Sequence, residues 1–177
     1  MTRVNTADVW TARIRDVPDF PKPGIVFKDI APVLGDVRAF NQTIELLGEA
    51  LAMFEYDYIV GIESRGFLIG APLALRTQRG FIPVRKPGKL PAASWRVDYA
   101  LEYGTDALEM HQDALKPGDR VVIVDDLLAT GGTAEAARRL IDIAGATAVA
   151  AAFLIELEAL GGRMRLPELP IVSLLRN

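Results

Sequence analysis

The sequence predicts an α/β fold, a doubly wound, mostly parallel sheet flanked by helices. Short apolar runs of strand length occur at 58–62, 81–84, 121–124, 148–155 and 171–175, and they lack the polar alternation of a half-solvated antiparallel sheet. Segments with helical spacing stand between several of these runs. Strands that alternate with helices are joined by crossovers, which is the connection a parallel sheet needs. The 177 residues, half of them hydrophobic, suffice for one buried core, so a single domain over 1–177 is expected.

From Asp36, a natural helix cap, the residues Val37, Phe40, Ile44, Leu47, Leu51 and Phe54 recur every three or four positions and draw one stripe down a long helix. The strand Tyr58 to Ile62 ends at Glu63-Ser64-Arg65-Gly66, and an apolar helix follows from Phe67 to Leu75. Phe81 to Val84 forms a second strand, after which Arg85-Lys86-Pro87-Gly88-Lys89 is too charged and too turn-rich for a core element. Trp95 to Met110 holds two β-prone pieces around Tyr103-Gly104-Thr105-Asp106, the pattern of a hairpin or flap. A turn at Lys116 to Asp119 leads to the strand Val121 to Val124. A helix over Thr133 to Ala144 comes next, then strands at Ala148 to Ile155 and Ile171 to Leu175. The proline-rich segment 18–24 has too little chain before it to mark a domain boundary and is expected to fold over the main body.

The charge balance excludes some function classes. A net charge of -3 gives no basic field for nucleic acid or an anionic membrane. The absence of cysteine rules out disulfides, thiolate metal sites and a thiol nucleophile. A lone histidine, His111, rules out a multi-histidine metal site and reads as structural. The N-terminus lacks a signal-peptide core, and the longest apolar run, Ala146 to Ile155, is about half a membrane span. A cytoplasmic protein without membrane or nucleic-acid partners is expected.

The strongest chemical signal is Val121-Val122-Ile123-Val124-Asp125-Asp126-Leu127-Leu128-Ala129-Thr130-Gly131-Gly132-Thr133, where a buried strand delivers two carboxylates and then a glycine-hydroxyl loop to a helix start. Ligands of open α/β sheets bind beyond the carboxyl ends of strands, so Asp125 and Asp126 stand where a sugar diol can meet acceptor oxygens. The loop Ala129 to Thr133 offers backbone N–H groups, two glycines and the hydroxyls of Thr130 and Thr133, a combination suited to phosphate. No lysine follows the glycines and no G-x-G-x-x-G occurs, which excludes the common nucleoside-triphosphate and dinucleotide motifs. Gly61 to Gly66 has P-loop spacing, but Phe67 stands where lysine is required.

These residues resemble the sugar-diphosphate motif of the type I phosphoribosyltransferases, and especially the adenine-specific members. The resemblance extends to Pro18 to Pro21, Pro23 to Ile30, Ser64 to Phe67, Arg85 to Pro91 and Leu101 to Gly104. It implies the family's fold, with a base-binding hood mainly at 18–34 and a flap at about 86–104, and transfer of the 5-phosphoribosyl group to adenine in purine salvage. By that resemblance Asp125, Asp126 and Ala129 to Thr133 hold ribose 5-phosphate. Ser64, Arg65, Arg85, Lys86 and Lys89 hold the diphosphate, the turn at Glu63 to Arg65 often having a strained peptide bond. Val26, Phe27, Lys28 and Leu127 hold adenine. Glu102 is the base near the purine imidazole and Tyr103 closes the flap. Arg65, Asp125, Asp126 and Glu102 form the catalytic set. Mg²⁺ arrives with phosphoribosyl pyrophosphate without a direct protein ligand, Asp125 reaching it through water, and the active form is a homodimer. Many relatives have arginine where Lys28 stands. A transferase for another purine base, or a non-catalytic sensor of phosphoribosyl pyrophosphate, are the alternative readings.

Overall fold

The computed structural model describes residues 7–100 and 104–177. Contacts within the chain gather into two compact units, Met1–Leu46 and Leu47–Asn177.

In the first unit a short helix α1 (Ala7–Thr11) precedes strand β1 (Arg15–Pro18), which pairs antiparallel with β2 (Val26–Asp29). The connection between them contains the proline-rich segment read from the sequence. There Asp19 adopts φ 58°, Gly24 adopts φ 85°, and the Asp19 carboxylate accepts the Gly24 N–H at 2.7 Å. A local side-chain-to-backbone bond of this kind closes a turn that the prolines deprive of N–H donors. Arg15 pairs with Asp29, and Lys28 with Asp16 at 2.9 Å, so both strands are laced across the hairpin. A four-residue helix α2 (Ala31–Leu34) follows, with proline in its first turn. Asp36 then caps α3 (Val37–Leu51) by accepting the N–H groups of Arg38 and Ala39 at 3.0 and 3.2 Å. These bonds hold the Asp36 carboxyl below the usual carboxylate range. The apolar stripe ran on to Phe54, but the last turn tightens to i−3 bonds at Ala52 and Phe54 and the α-helix ends at Leu51.

The second unit is built on β3 (Tyr58–Ile62), α4 (Arg65–Thr77), β4 (Gly80–Val84), the hairpin β5 (Ser94–Ala100) and β6 (Thr105–His111), β7 (Arg120–Leu128), α5 (Gly132–Ile143), β8 (Thr147–Glu156), two 3₁₀ turns (Glu158–Leu160 and Gly162–Arg165) and β9 (Ile171–Arg176). Its five-stranded sheet runs β4-β3-β7-β8-β9, and each neighbouring pair is parallel. The inner strands are buried throughout Val121 to Val124 and Ala150 to Ile155, as expected of a sheet covered on both faces. From β3 the chain first winds outward to β4, then returns past β3 to β7 and continues the other way. The winding therefore reverses between β3 and β7, and the crevice beyond their carboxyl ends is the place where such sheets bind ligands. The hairpin is a separate two-stranded antiparallel sheet, with Ser94 opposite His111 and Ala100 opposite Thr105. It lies against α5, where Arg139 donates to the Asp98 carbonyl at 3.2 Å.

Candidate active site

The carboxyl ends of β3 and β7 emerge side by side because the two strands run in parallel register, Gly61 beside Val124. The chain leaves β3 through Glu63 and Ser64, joined by a cis peptide, and enters α4 at Arg65. Gly66, in the first turn of α4, allows this helix to reach β7. A Cβ there would stand 2.7 Å from the Val124 carbonyl and 3.0 Å from Asp125 Oδ1, so only glycine permits the approach.

That approach brings Arg65 to the acidic pair. Arg65 Nε lies 2.9 Å from Asp126 Oδ2, and Asp126 is 4% exposed. The sequence pattern ended the strand at Val124, whereas β7 runs through both aspartates to Leu128 and stays paired with β8 as far as Glu156. The acidic pair is therefore fixed by sheet hydrogen bonds instead of riding on a loop. Asp125 Oδ1 accepts the Asp126 N–H at 2.9 Å and forms part of the wall of a cavity. Burial pushes the Asp125 carboxyl well above the usual carboxylate range, and the neighbouring Asp126 charge adds to it. Burial also raises Asp126, against the opposing pull of Arg65.

A carboxylate whose pKa is raised by folding destabilises the folded state as pH climbs from the unfolded value through the folded one. Asp125→Asn imitates the neutral form and can keep the acceptor for the Asp126 N–H. Its thermal midpoint at about pH 7.5 is expected above that of the parent, the gap closing as pH falls through the folded value and below about 4, the ordinary aspartate value of the unfolded chain. Thermal unfolding followed by circular dichroism across this range checks the sign. A midpoint equal to or below the parent's at the upper pH would contradict it.

The cavity beyond β7 has a volume of about 70 Å³ and is lined by Asp125, by Phe153 and by the run Leu127 to Ala134. Gly131 caps α5 in the left-handed region at φ 83°, and its carbonyl accepts the Glu135 N–H at 2.9 Å. A loop of small residues thus delivers its backbone into a twelve-residue helix, whose free N–H groups and dipole favour an anion. Ala129, Thr130, Gly131, Gly132 and Thr133, all singled out in the sequence, line this one concavity together with Leu127.

The second basic cluster is built by side-chain pairing between distant segments. Glu63 accepts from Arg85 Nε at 3.1 Å and from the Lys86 N–H at 3.0 Å. Burial alone would raise Glu63, but these donors outweigh it and bring its pKa below the usual range. Arg85 also donates to the Lys89 carbonyl at 3.0 Å, which folds the Lys86 to Lys89 turn back on itself. Lys86 reaches across to the hairpin, where its ammonium pairs with Asp106 and meets the Tyr99 hydroxyl at 3.0 Å. Burial opposes the charge on Lys86, yet these partners raise its pKa above the ordinary lysine value. Lys89 and Ser64 are exposed. The sequence reading placed Glu63 in the turn before Arg65 and Asp106 in the hairpin turn, but gave neither carboxylate a partner.

In the first unit Phe27 meets Phe20 edge to face, with ring centroids 5.2 Å apart. Together with Val17 and Asp29 these rings line an apolar cavity of about 180 Å³. Val26 is half exposed beside it in sequence, and Lys28 is held by Asp16. Glu102 and Tyr103 lie outside the described residues. His111 ends β6 opposite Ser94, and its Nε2 is buried without a hydrogen-bond partner among the described residues.

The phosphoribosyl transferase domain family matches residues 39–165, a span that holds the β3–α4 turn, the acidic pair and the glycine loop. The chain belongs to the phosphoribosyltransferase family. Among the relatives of this phosphoribosyltransferase, the adenine phosphoribosyltransferase of a Synechococcus strain is 61% identical over 161 residues, covering 91% of this chain and 94% of the relative. A crystal structure of adenine phosphoribosyltransferase from Thermoanaerobacter pseudethanolicus superposes with a TM-score of 0.95 at 53% identity, covering 97% of this chain and 99% of the other. The Saccharomyces cerevisiae adenine phosphoribosyltransferase, solved with an imino-altritol bisphosphate and adenine, aligns at a TM-score of 0.90 and 41% identity, covering 96% and 98%. The type I phosphoribosyltransferase fold expected from the sequence, a parallel sheet with flanking helices, is the fold observed.

Proposed function

We propose that this phosphoribosyltransferase transfers the 5-phosphoribosyl group from phosphoribosyl pyrophosphate to adenine, giving AMP and diphosphate in purine salvage. The observation that carries the reading is the joining of a phosphate-sized glycine-threonine cradle, a carboxylate at its edge and an arginine held against that acidic pair, at the point where the sheet reverses its winding. The name shared by the relatives supports adenine as the acceptor.

In this mechanism the loop 129–133 receives the 5′-phosphate through backbone N–H groups and the hydroxyls of Thr130 and Thr133. Asp125 and Asp126 accept from the ribose diol and stabilise the positive charge that grows on the sugar ring as the bond to diphosphate stretches. Arg65 presents a planar fork to the departing diphosphate, with Ser64, Arg85, Lys86 and Lys89 as further donors. A nitrogen of adenine forms the new bond to C1, and the bond from C1 to the diphosphate oxygen breaks with its electron pair. Glu102 takes the proton that the purine sheds, and Tyr103 helps exclude water.

Among the described residues there is no group of three or more acidic or histidine side chains able to cage a metal. The donor set still suits Mg²⁺, which keeps its waters and is bound through one or two carboxylates together with substrate phosphates. Asp125 would hold it through water, and when bound the ion neutralises charge on the diphosphate. Val26, Phe27 and Lys28 hold the base, aromatic stacking supplying affinity and hydrogen bonds to the 6-amino group supplying selectivity. The family resemblance supports a cytoplasmic homodimer as the working form.

Initial rates with Mg²⁺ and phosphoribosyl pyrophosphate, offering adenine, hypoxanthine, guanine, xanthine and orotate separately, test the proposal. A kcat/KM for adenine at least about 100-fold above every other base is expected, because a site built to read the 6-amino group rejects bases that lack it. Preferential turnover of another base would reassign the base pocket. Binding of phosphoribosyl pyrophosphate without turnover of any base would favour a sensor.

A further inference from the structure

The run Leu160-Gly161-Gly162-Arg163 has no place in the mechanism, yet the fold sets it directly behind the phosphate cradle. A Cβ at Gly162 would stand 2.3 Å from the Ala129 carbonyl and 2.9 Å from Leu128 Cδ1. From the opposite side, a Cβ at Gly131 would stand 2.4 Å from the Gly162 carbonyl. Backbone therefore packs on backbone, with a glycine required on each side.

The turn that carries Gly162 is pinned by a nearly buried charge. Glu156, 3% exposed at the end of β8, receives Arg163 in a fork, Nε to one carboxylate oxygen and Nη2 to the other at 2.7 Å. Ser173 Oγ donates to the same carboxylate at 2.7 Å from the adjacent strand. The Leu157 N–H binds the Leu128 carbonyl at 2.9 Å, which ties the start of the turn to the end of β7. Arg165 pairs with Glu135 in the first turn of α5 at 3.2 Å. The turn is thus fixed on both sides of the cradle.

We propose that Gly162, held in place by the Glu156–Arg163 pair, is a positioning residue for the 5′-phosphate cradle, a backstop that keeps Ala129 to Gly131 shaped for the incoming phosphate. The role presupposes the phosphoribosyl transfer proposed for this chain. Its physical basis is preorganisation. A loop of alanine, threonine and glycine has little side-chain packing of its own, and any freedom it retained would be lost on binding at the expense of affinity.

The test measures ribose 5-phosphate binding by calorimetry, KM for each substrate and kcat, and amide exchange over 129–133, in Gly162→Ala and Glu156→Gln. In Gly162→Ala the dissociation constant for ribose 5-phosphate and the KM for phosphoribosyl pyrophosphate should each rise at least about tenfold, since displacements of about 1 Å around a site cost up to about 100-fold. The KM for adenine should stay within about twofold, as expected when the affected contact is on the sugar phosphate alone. Amide exchange over 129–133 should quicken while that of β3 and β8 stays as in the parent. Glu156→Gln, which preserves size and weakens the pin together with the bonds from Ser173 and Arg176 on β9, should show the same pattern in smaller degree, and it carries the test if Gly162→Ala does not fold. Unchanged ribose 5-phosphate binding in a folded variant overturns the proposal, as does a loss in which both KM values, kcat and global exchange move together. If the parent binds ribose 5-phosphate but forms no nucleotide from phosphoribosyl pyrophosphate and any base, the functional reading fails while the backstop is still judged by binding. If the parent does not bind ribose 5-phosphate, both fall.

Discussion

The combined substitution Asp125→Asn and Asp126→Asn is expected to lower kcat/KM for phosphoribosyl pyrophosphate by about a thousandfold, the scale seen when groups aimed at developing charge are removed. The change is nearly isosteric, and β7 holds both positions through its pairing with β8, so the backbone has no reason to move. Two features of the site are lost together. The carboxylate edge of the cavity becomes a neutral amide, with a donor where the diol needs an acceptor, and Arg65 no longer has an anion at Asp126 to set its direction. Because Asp125 sits in surroundings that oppose its charge, the loss of activity should come without a matching loss at that position in thermal stability. Steady-state rates and a melting curve on one preparation check both halves. A variant retaining more than about a tenth of the parent kcat/KM would remove the acidic pair from the chemistry.

Arg65→Ala carries the second large effect, about 100- to 1,000-fold in kcat/KM, on the usual cost of removing one charged donor from a departing group. Here stability should fall as well. The Asp126 carboxylate, 4% exposed, keeps its burial and loses a cation at 2.9 Å. Since Arg65 is itself about a third exposed, the expected loss is about 1–3 kcal/mol, short of the figure for a fully buried pair. Adding Asp126→Asn to Arg65→Ala separates the two roles. The double variant should recover most of the stability, the stranded charge being gone, and none of the activity. Recovery of activity along with stability would make Arg65 a folding residue only.

Most of the parallel sheet was legible because its strands are continuous apolar runs whose burial dictates their composition. Tyr58 to Ile62 and Ile171 to Leu175 were read within a residue of their observed ends. The end of β7 was not, since two aspartates look like the exit from a strand until Arg65 and the pairing with β8 are known. The β1–β2 hairpin was read only as a proline-rich segment. Its strands have four residues each, and those of β1 are mostly exposed, so no alternation announces them. The glycine-threonine loop was fully legible, because backbone N–H groups at a helix start depend on small residues that the sequence displays. What holds the site in shape was hidden. Glu63 with Arg85, Lys86 with Asp106, and Gly162 against Gly131 are contacts between distant segments, and although Arg85, Lys86 and Gly131 were read as site residues, nothing in local composition indicates their partners.

The most direct test of phosphoribosyl transfer to adenine is the stoichiometry of one reaction. Adenine, Mg²⁺ and phosphoribosyl pyrophosphate are mixed with the protein, and AMP and diphosphate are quantified together over time. The account predicts equal amounts of AMP and diphosphate at every time point, with neither formed by the Asp125→Asn, Asp126→Asn variant beyond about a thousandth of the parent rate. Diphosphate released without AMP, or no consumption of adenine at all, would contradict it.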